Sequence, residues 1–120
     1  MSRLLCALLL LLLSTGAFAA SPKCDGPDNW AAASAHAKLK NAGLLDNALI
    51  DFTKTKVKRL ASEQIRKDLY RQVHRVTYTF FSGKTLEVIT INDASHEECS
   101  MTGVEVFVVS GHIDADASGL

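Results

Sequence analysis

The fold is decided by the stretch LYRQVHRVTYTFFSGKTLEVITIN, residues 69–92. In an extended chain, successive side chains point to opposite faces, so Val76 and Tyr78 share one face of this stretch. The segment Ser82-Gly83-Lys84 contains the small and conformationally free residues that favour a hairpin loop. Residues 85–92 are again rich in β-branched side chains, which favour strands. The stretch therefore predicts two long antiparallel strands joined by a short loop.

Two further strands are predicted on either side of this hairpin. Residues 53–65 begin by alternating threonine and valine with lysine and arginine, a pattern that is typical of a strand with one solvent-exposed face. Arg66-Lys67-Asp68 is the expected turn into the central hairpin. Residues 104–110 are predicted to form the last strand, after a polar loop at residues 93–103.

One helix is predicted before the strands. Residues 29–42 are rich in alanine, with small or apolar side chains three and four positions apart, and Trp30 stands near the start. Asp28 is a suitable N-cap and Gly43 a suitable C-cap. The order of elements predicts an α+β fold, in which one N-terminal helix packs on a four-stranded antiparallel sheet with the topology of a meander.

The first residues predict a cleavable export signal. Residues 4–13 form an apolar run after Arg3, and Ala17-Phe18-Ala19 has the small residues that a signal peptidase requires. The run is shorter than the roughly 20 residues that a transmembrane helix needs. We expect cleavage after Ala19, which gives a signal peptide at 1–19, a single domain at 20–111 and a flexible acidic tail at 112–120. The expected location is periplasmic or secreted, with no membrane span after cleavage.

The cysteines predict one disulfide. The chain contains three cysteines, and the expected cleavage removes Cys6. An even number of cysteines in an oxidising compartment favours pairing, so we predict a bridge between Cys24 and Cys99. The alternative is a pair of thiols at a metal or redox site, although redox pairs usually have a C-x-x-C spacing that these two lack.

The formal net charge of zero hides a strong polarity along the chain. Residues 54–84 contain nine basic side chains against two acidic ones, and no lysine or arginine follows Lys84. Two interpretations are open: opposite charges pair across neighbouring strands, or the basic residues form a functional patch. The candidate binding residues lie at the expected hairpin tips and on the longest strand: Arg66, Lys67, Asp68, Arg71, Arg75 and Lys84.

Two segments contain residue types that can bind metals. Residues 114–119 match the opening half of an EF-hand loop, but the chain ends before the glutamate that closes such a loop. His96-Glu97-Glu98-Cys99 and His112 combine imidazole, carboxylate and thiol groups without a recognised zinc-site spacing. No serine lies in the G-x-S-x-G context of a nucleophile. We therefore assign no catalytic residue, no metal and no cofactor.

The order of one helix and a four-stranded meander resembles the arrangement of cystatin-like inhibitors. Those proteins have a Q-x-V-x-G hairpin, and the corresponding turn here reads Gln64-Ile65-Arg66-Lys67-Asp68. The resemblance implies the topology alone, and no functional residue is transferred because the valine and the glycine are missing. In general character, the chain also resembles small exported bacterial proteins.

These features favour an exported, non-enzymatic binding module that recognises or inhibits a protein through hairpin tips or an exposed sheet face. One alternative is a small hydrolase or metal-dependent enzyme built around His96, Glu97, Glu98 and His112. Another is a structural protein that dimerises, since apolar residues occur on both faces of the last two strands. Nucleic acid is not an expected partner, because no aromatic ladder accompanies the basic residues. We expect a monomer or a homodimer.

Overall fold

The computed structural model describes residues 20–109 and confirms the predicted architecture. One helix, α1 (Trp30–Asn41), packs on an antiparallel sheet with the strand order β1-β2-β3-β4. Each strand pairs with its neighbour in the chain. The strands are β1 (Lys56–Arg66), β2 (Leu69–Thr79), β3 (Thr85–Ala94) and β4 (Glu105–Val108). Two short 3₁₀ turns, Asn47–Leu49 and Phe52–Lys54, connect α1 to β1.

Helix α1 ends just before the predicted glycine, with Ala42 and not Gly43 as its C-cap. Gly43 has a φ of 75°, a left-handed conformation that glycine adopts without steric cost. The amides of Gly43 and Leu44 donate hydrogen bonds to helix carbonyls at 3.0 Å and 2.9 Å, so the last turn keeps its backbone partners. The start differs from the prediction by one residue. Asn29, and not Asp28, is the N-cap, because the carbonyl of Asn29 accepts the first helical hydrogen bond, from the amide of Ala33 at 2.9 Å.

The sheet has one covered face and one open face. On β2, alternate residues from Tyr70 to Tyr78 are buried on the covered face, and the residues between them are exposed or half-buried. Helix α1 covers the half that contains Val76 and Tyr78, where Leu39 belongs to the apolar core. The hydroxyl of Tyr78 donates to the carbonyl of Ala32 at 2.8 Å, which ties α1 to the sheet. The apolar core therefore occupies one half of the covered face.

Strand β1 contains a bulge that matters for the other half of the covered face. The pairing with β2 shifts between Arg59 and Ala61, which leaves Leu60 as an extra residue. Arg59 pairs with His74, and Ser62 pairs with Gln72, so both polar side chains point to the covered face. An unbroken strand would have placed one of them on the open face.

Among residues 20–109, no helix is long and apolar enough to cross a membrane. The expected signal peptide at 1–19 and the expected tail at 112–120 lie outside the described residues. The expected domain at 20–111 includes all the elements above.

Candidate functional site

One end of the sheet brings together three segments that are far apart in the chain. In a meander, the first and third connections lie at the same end, so the segment Arg66-Lys67-Asp68 meets the β3–β4 loop (residues 95–104). Only Lys67 and Asp68 form the β1–β2 turn, because Arg66, which was expected in it, is the last residue of β1. The N-terminal arm (residues 20–25) reaches the same end over the covered face. We call these three segments the stapled end, because a disulfide and a histidine fasten them together.

The predicted disulfide joins Cys24 of the arm to Cys99 of the loop. Their Cα atoms lie 5.6 Å apart, and 75 positions separate the two residues in the sequence. This spacing is within the usual range for a disulfide. The bridge fixes the arm against the loop, and it excludes the alternative in which the two cysteines are free thiols at a metal site.

His96 is the second fastening of the stapled end. Its Nδ1 lies 2.5 Å from Oδ1 of Asp68 in the turn, and its backbone amide donates to the same oxygen at 3.0 Å. Its Nε2 lies 2.5 Å from the carbonyl oxygen of Ala20 in the arm. Both acceptors are satisfied together only when both ring nitrogens carry a proton. The contacts therefore fit the imidazolium form of His96.

These contacts shift the titration of both side chains. The carbonyl of Ala20 and the carboxylate of Asp68 raise the pKa of His96 above its usual 6.5. In return, hydrogen bonds from the His96 backbone and ring lower the pKa of Asp68. Because the folded protein holds the His96 proton more tightly than the unfolded chain, this fastening stabilises the fold fully below pH 6.5, as long as the pH stays above the lowered pKa of Asp68. The stabilisation is lost as the pH rises through the raised pKa.

Beneath the arm, the covered face of the sheet is polar. The carbonyl of Pro22 accepts hydrogen bonds from Nη1 of Arg59 at 2.9 Å and from Nε2 of Gln72 at 3.0 Å. The Gln72 amide also donates to Oγ of Ser62 at 3.2 Å. The arm is therefore held on β1 and β2 by polar contacts, and the bulge in β1 is what brings Arg59 and Ser62 to them.

The middle of the covered face contains a polar layer, which we define as Gln72, His74, Thr90 and Asn92. All four residues are buried, and His74 lies directly opposite Thr90 across β2 and β3. Among the described residues, each member has at least one side-chain atom without a hydrogen-bond partner, and both ring nitrogens of His74 lack one. Buried polar groups are rarely left this way, so the layer is an unusual feature of the fold.

Burial controls the charge of His74. Removal from water lowers its pKa below the usual 6.5, an effect that Asp25 opposes and Arg59 reinforces. His74 is therefore neutral at pH 7. The layer was detectable in the sequence, because Gln72 and His74 have the same parity as Val76 and Tyr78. No pattern in the sequence indicated the contact between His96 and Asp68, because 28 positions separate the two residues.

The open face carries cross-strand ion pairs. Arg71 pairs with Asp93 directly opposite, at 3.0 Å, and Arg75 pairs with Glu87 at 2.6 Å. The hydrogen bond that Arg71 donates to the Asp93 carboxylate raises the pKa of Arg71. A cleft of about 460 Å³ lies beside the first pair and is lined in part by Ile91. For these two arginines, the pairing interpretation of the basic stretch agrees with the structure.

The candidate binding residues fall in three places. Arg66-Lys67-Asp68 lies in the stapled end, where the first two side chains are exposed and the third contacts His96. Arg71 and Arg75 lie on the open face. Lys84 lies in the β2–β3 loop, at the opposite end of the sheet. The structure therefore joins one expected hairpin tip with the arm and separates it from the other tip.

The loop that was considered as a metal site is occupied by the fastening contacts. Cys99 is in the disulfide, and both ring nitrogens of His96 contact other segments. His112 and residues 114–119 lie outside the described residues. Within the part of the chain that the structure describes, no group of three or more His, Cys, Asp or Glu side chains could hold a metal ion. Comparisons with protein-family models, with curated proteins and with solved structures found no match to this chain.

Proposed function

We propose that the chain is an exported, non-enzymatic binding module whose stapled end contacts a protein partner. The observation that carries this proposal is the fastening of three separate segments to one end of the sheet by the Cys24–Cys99 disulfide and by His96. Segments that are already ordered lose little conformational entropy when they bind. Recognition sites are commonly built from such segments on a rigid scaffold.

The charges at the stapled end support contact with a protein of mixed surface charge. Each of the three segments contributes an exposed ionic side chain, and among the described residues none of them forms a salt bridge. Charges of this kind steer association and set the choice of partner. The exposed ionic side chains are Lys23 in the arm, Arg66 and Lys67 at the β1–β2 turn, and Glu97 and Glu98 in the loop.

The disulfide also supports the proposed compartment. Disulfides of this structural kind persist in the periplasm and outside the cell, and they are rare where thiols are kept reduced. The bridge between Cys24 and Cys99 is therefore compatible with export. The predicted signal peptide at 1–19 points to the same route.

Charge reversal in the turn tests the proposal. The exported protein is immobilised, binding proteins are isolated from the envelope and medium of the producing cells, and the dissociation constant of a captured protein is measured. Arg66→Glu combined with Lys67→Glu is expected to weaken binding at least tenfold, which is about 1.4 kcal/mol. The reason is that two exposed cations facing the partner become anions.

The matched control is Lys54→Glu combined with Lys84→Glu. It changes the net charge by the same amount at two exposed positions outside the stapled end, and it should leave binding unchanged. Equal losses in both double variants, or full binding by the turn variant, would contradict the proposal. Chemical conversion of the captured protein, abolished by a single substitution, would instead identify an enzyme.

A further inference from the structure

The outer edge of β4 presents backbone groups that no other strand uses. The amide of Val109 donates to the carbonyl of Glu87 at 2.9 Å, which fixes the alternation of hydrogen-bonded pairs along β4. Phe107 then belongs to a pair that is hydrogen-bonded to β3, whereas the N–H and C=O groups of Val106 and Val108 point away from the sheet. No backbone hydrogen bond from these outward groups occurs within residues 20–109.

Helix α1 covers the first half of this edge and stops short of the second. Nε1 of Trp30 donates to the carbonyl of Thr102 at 3.0 Å, and Nζ of Lys38 donates to the carbonyl of Val104. The next outward carbonyls in the same row are those of Val106 and Val108, which α1 does not reach. The free part of the edge is thus a short and well-defined segment.

The side chains around this segment are apolar and partly exposed. Phe107 is 52% exposed and Val108 is 45% exposed. On the covered face, a groove of about 310 Å³ separates α1 from β4 and is lined by Lys38 and by apolar residues that include Leu44 and Val106. Leu44 is itself 51% exposed. An added strand would therefore gain backbone hydrogen bonds and would also bury apolar surface.

The opposite edge of the sheet, strand β1, is protected against pairing with another chain, whereas β4 is not. Strand β1 places Lys56, Lys58 and Arg59 along its length and contains two register shifts. Charged side chains and bulges are the usual devices that prevent edge strands from pairing with other chains. In contrast, residues 106–109 of the other edge read Val-Phe-Val-Val.

We propose that the free segment of β4 pairs with the same segment of a second copy of this chain. Antiparallel pairing about a two-fold axis places Phe107 opposite Phe107 of the partner subunit. Val106 then exchanges N–H and C=O bonds with Val108 of the partner subunit, and the symmetric exchange completes the ladder. The axis is perpendicular to the sheet, so both apolar grooves lie on the same face of one continuous sheet.

Charge favours a second copy at this edge. The pairing places Glu105 opposite Val109 of the partner subunit, so no like charges face each other across the axis. The same operation at β1 would bring rows of lysine and arginine together. A continuous sheet made in this way keeps the two stapled ends free at opposite ends of the dimer, so this interface is independent of the proposed binding function.

Sedimentation equilibrium of the exported protein tests the dimer. We expect a reversible monomer–dimer equilibrium with a dissociation constant in the micromolar range, because the interface is small. Phe107→Lys should raise this constant at least tenfold, since it places two cations opposite each other. Val108→Pro removes an outward N–H group without removing a bond to β3, and it should have a similar effect. Phe81→Lys is the matched control, because Phe81 is 71% exposed but lies in the β2–β3 loop.

Each outcome decides for or against the dimer. The proposal is supported if the wild type dimerises, if Phe107→Lys and Val108→Pro weaken the dimer, and if Phe81→Lys leaves it unchanged. Far-ultraviolet circular dichroism must show that all three variants fold. A protein that stays monomeric at hundreds of micromolar overturns the proposal. So does a dimer that persists unchanged in both β4 variants, or growth beyond a dimer. If only a variant without residues 110–120 dimerises, the C-terminal segment and not a second copy covers the edge.

Discussion

At the residue scale, His74 is the least conventional feature of the molecule. Its side chain is fully buried in the middle of β2, and neither ring nitrogen has a hydrogen-bond partner among the described residues. A buried polar group without a partner costs about 1–3 kcal/mol relative to its hydrated state. The imidazole is also held neutral, because burial lowers its pKa.

His74→Leu is therefore expected to stabilise the fold. Leucine is similar in size and has no polar atoms, so the free energy of unfolding at pH 7 should rise by about 1 kcal/mol. The measurement is urea-induced unfolding followed by circular dichroism. A matched change at a partnered buried residue, Tyr78→Phe, removes the bond to the Ala32 carbonyl and should lower the free energy by about 1 kcal/mol. A loss of stability in His74→Leu would show that the imidazole has a polar partner.

The lowered pKa of His74 predicts that acid reduces the stability of the fold. Because the folded pKa of His74 lies below 6.5, the unfolded chain takes up the proton first as the pH falls. The free energy of unfolding should therefore decrease as the pH drops below about 6.5, down to the lowered pKa. His74→Leu should remove this decrease in the unfolding measurements above. An equal decrease in the wild type and the variant would assign the acid response to other groups.

Residue identities alone could predict part of this arrangement. Alternation along β2 assigns Gln72 and His74 to the face of Val76 and Tyr78, so their burial follows from the sequence. What covers them does not follow, because the position of the arm depends on Pro22 accepting bonds from Arg59. Arg59 and Ser62 lie on the same face beneath the arm only because Leu60 forms a bulge between them.

At the scale of elements, the N-terminal arm depends on its disulfide more than on apolar packing. Polar contacts of Pro22 and Ala20 hold it on the sheet, and the Cys24–Cys99 bridge fixes its end. A bridge that closes a loop of this length stabilises a protein by about 4 kcal/mol in the chain-entropy model. That is a large fraction of the about 5–15 kcal/mol of a typical domain.

Cys24→Ser combined with Cys99→Ser should lower the free energy of unfolding by about 4 kcal/mol. The physical reason is the greater freedom of the unfolded chain, together with release of the arm from the polar layer. Urea unfolding measures the loss, and wild-type protein in reductant is the matched control because it should lose the same amount. A change of less than 1 kcal/mol, or a large difference between the two samples, would contradict this account of the arm.

The elements also show where sequence patterns are sufficient. The long alternating stretches predicted β2 and β3, and the glycine after α1 predicted the end of the helix. The prediction for the last strand, residues 104–110, was longer than the observed Glu105–Val108. The strand ends at Val108, although the amide of Val109 still donates to the carbonyl of Glu87 in β3. Sequence periodicity indicates which face a side chain takes, and it does not report how far a strand extends.

At the scale of the whole molecule, the polarity of charge along the chain becomes a polarity across the sheet. The basic residues of β1 lie at one edge, and Glu105 lies at the other. Between them, Arg71 and Arg75 pair with acidic residues of β3, as one interpretation of the sequence had predicted. The distribution into one stapled end, one open face and one free edge could not be predicted, because it depends on which connections meet at the same end of the sheet.

The proposed binding function assigns one of several separate surfaces of the molecule to a protein partner. The sequence offered three candidate surfaces, the Arg66-Lys67-Asp68 tip, the exposed sheet face and the β2–β3 loop, and they lie in separate places on the fold. Backbone contacts with a partner slow the exchange of amide hydrogens, so exchange can distinguish these surfaces in one sample.

The most direct test of the proposed function is therefore amide hydrogen exchange of the protein with and without a captured protein. The account predicts slower exchange in the arm, in the turn at Lys67-Asp68 and in the loop at residues 95–104, with residues 82–84 unchanged. Slower exchange confined to residues 82–84, or to the open-face strands around Arg71 and Arg75, would contradict it.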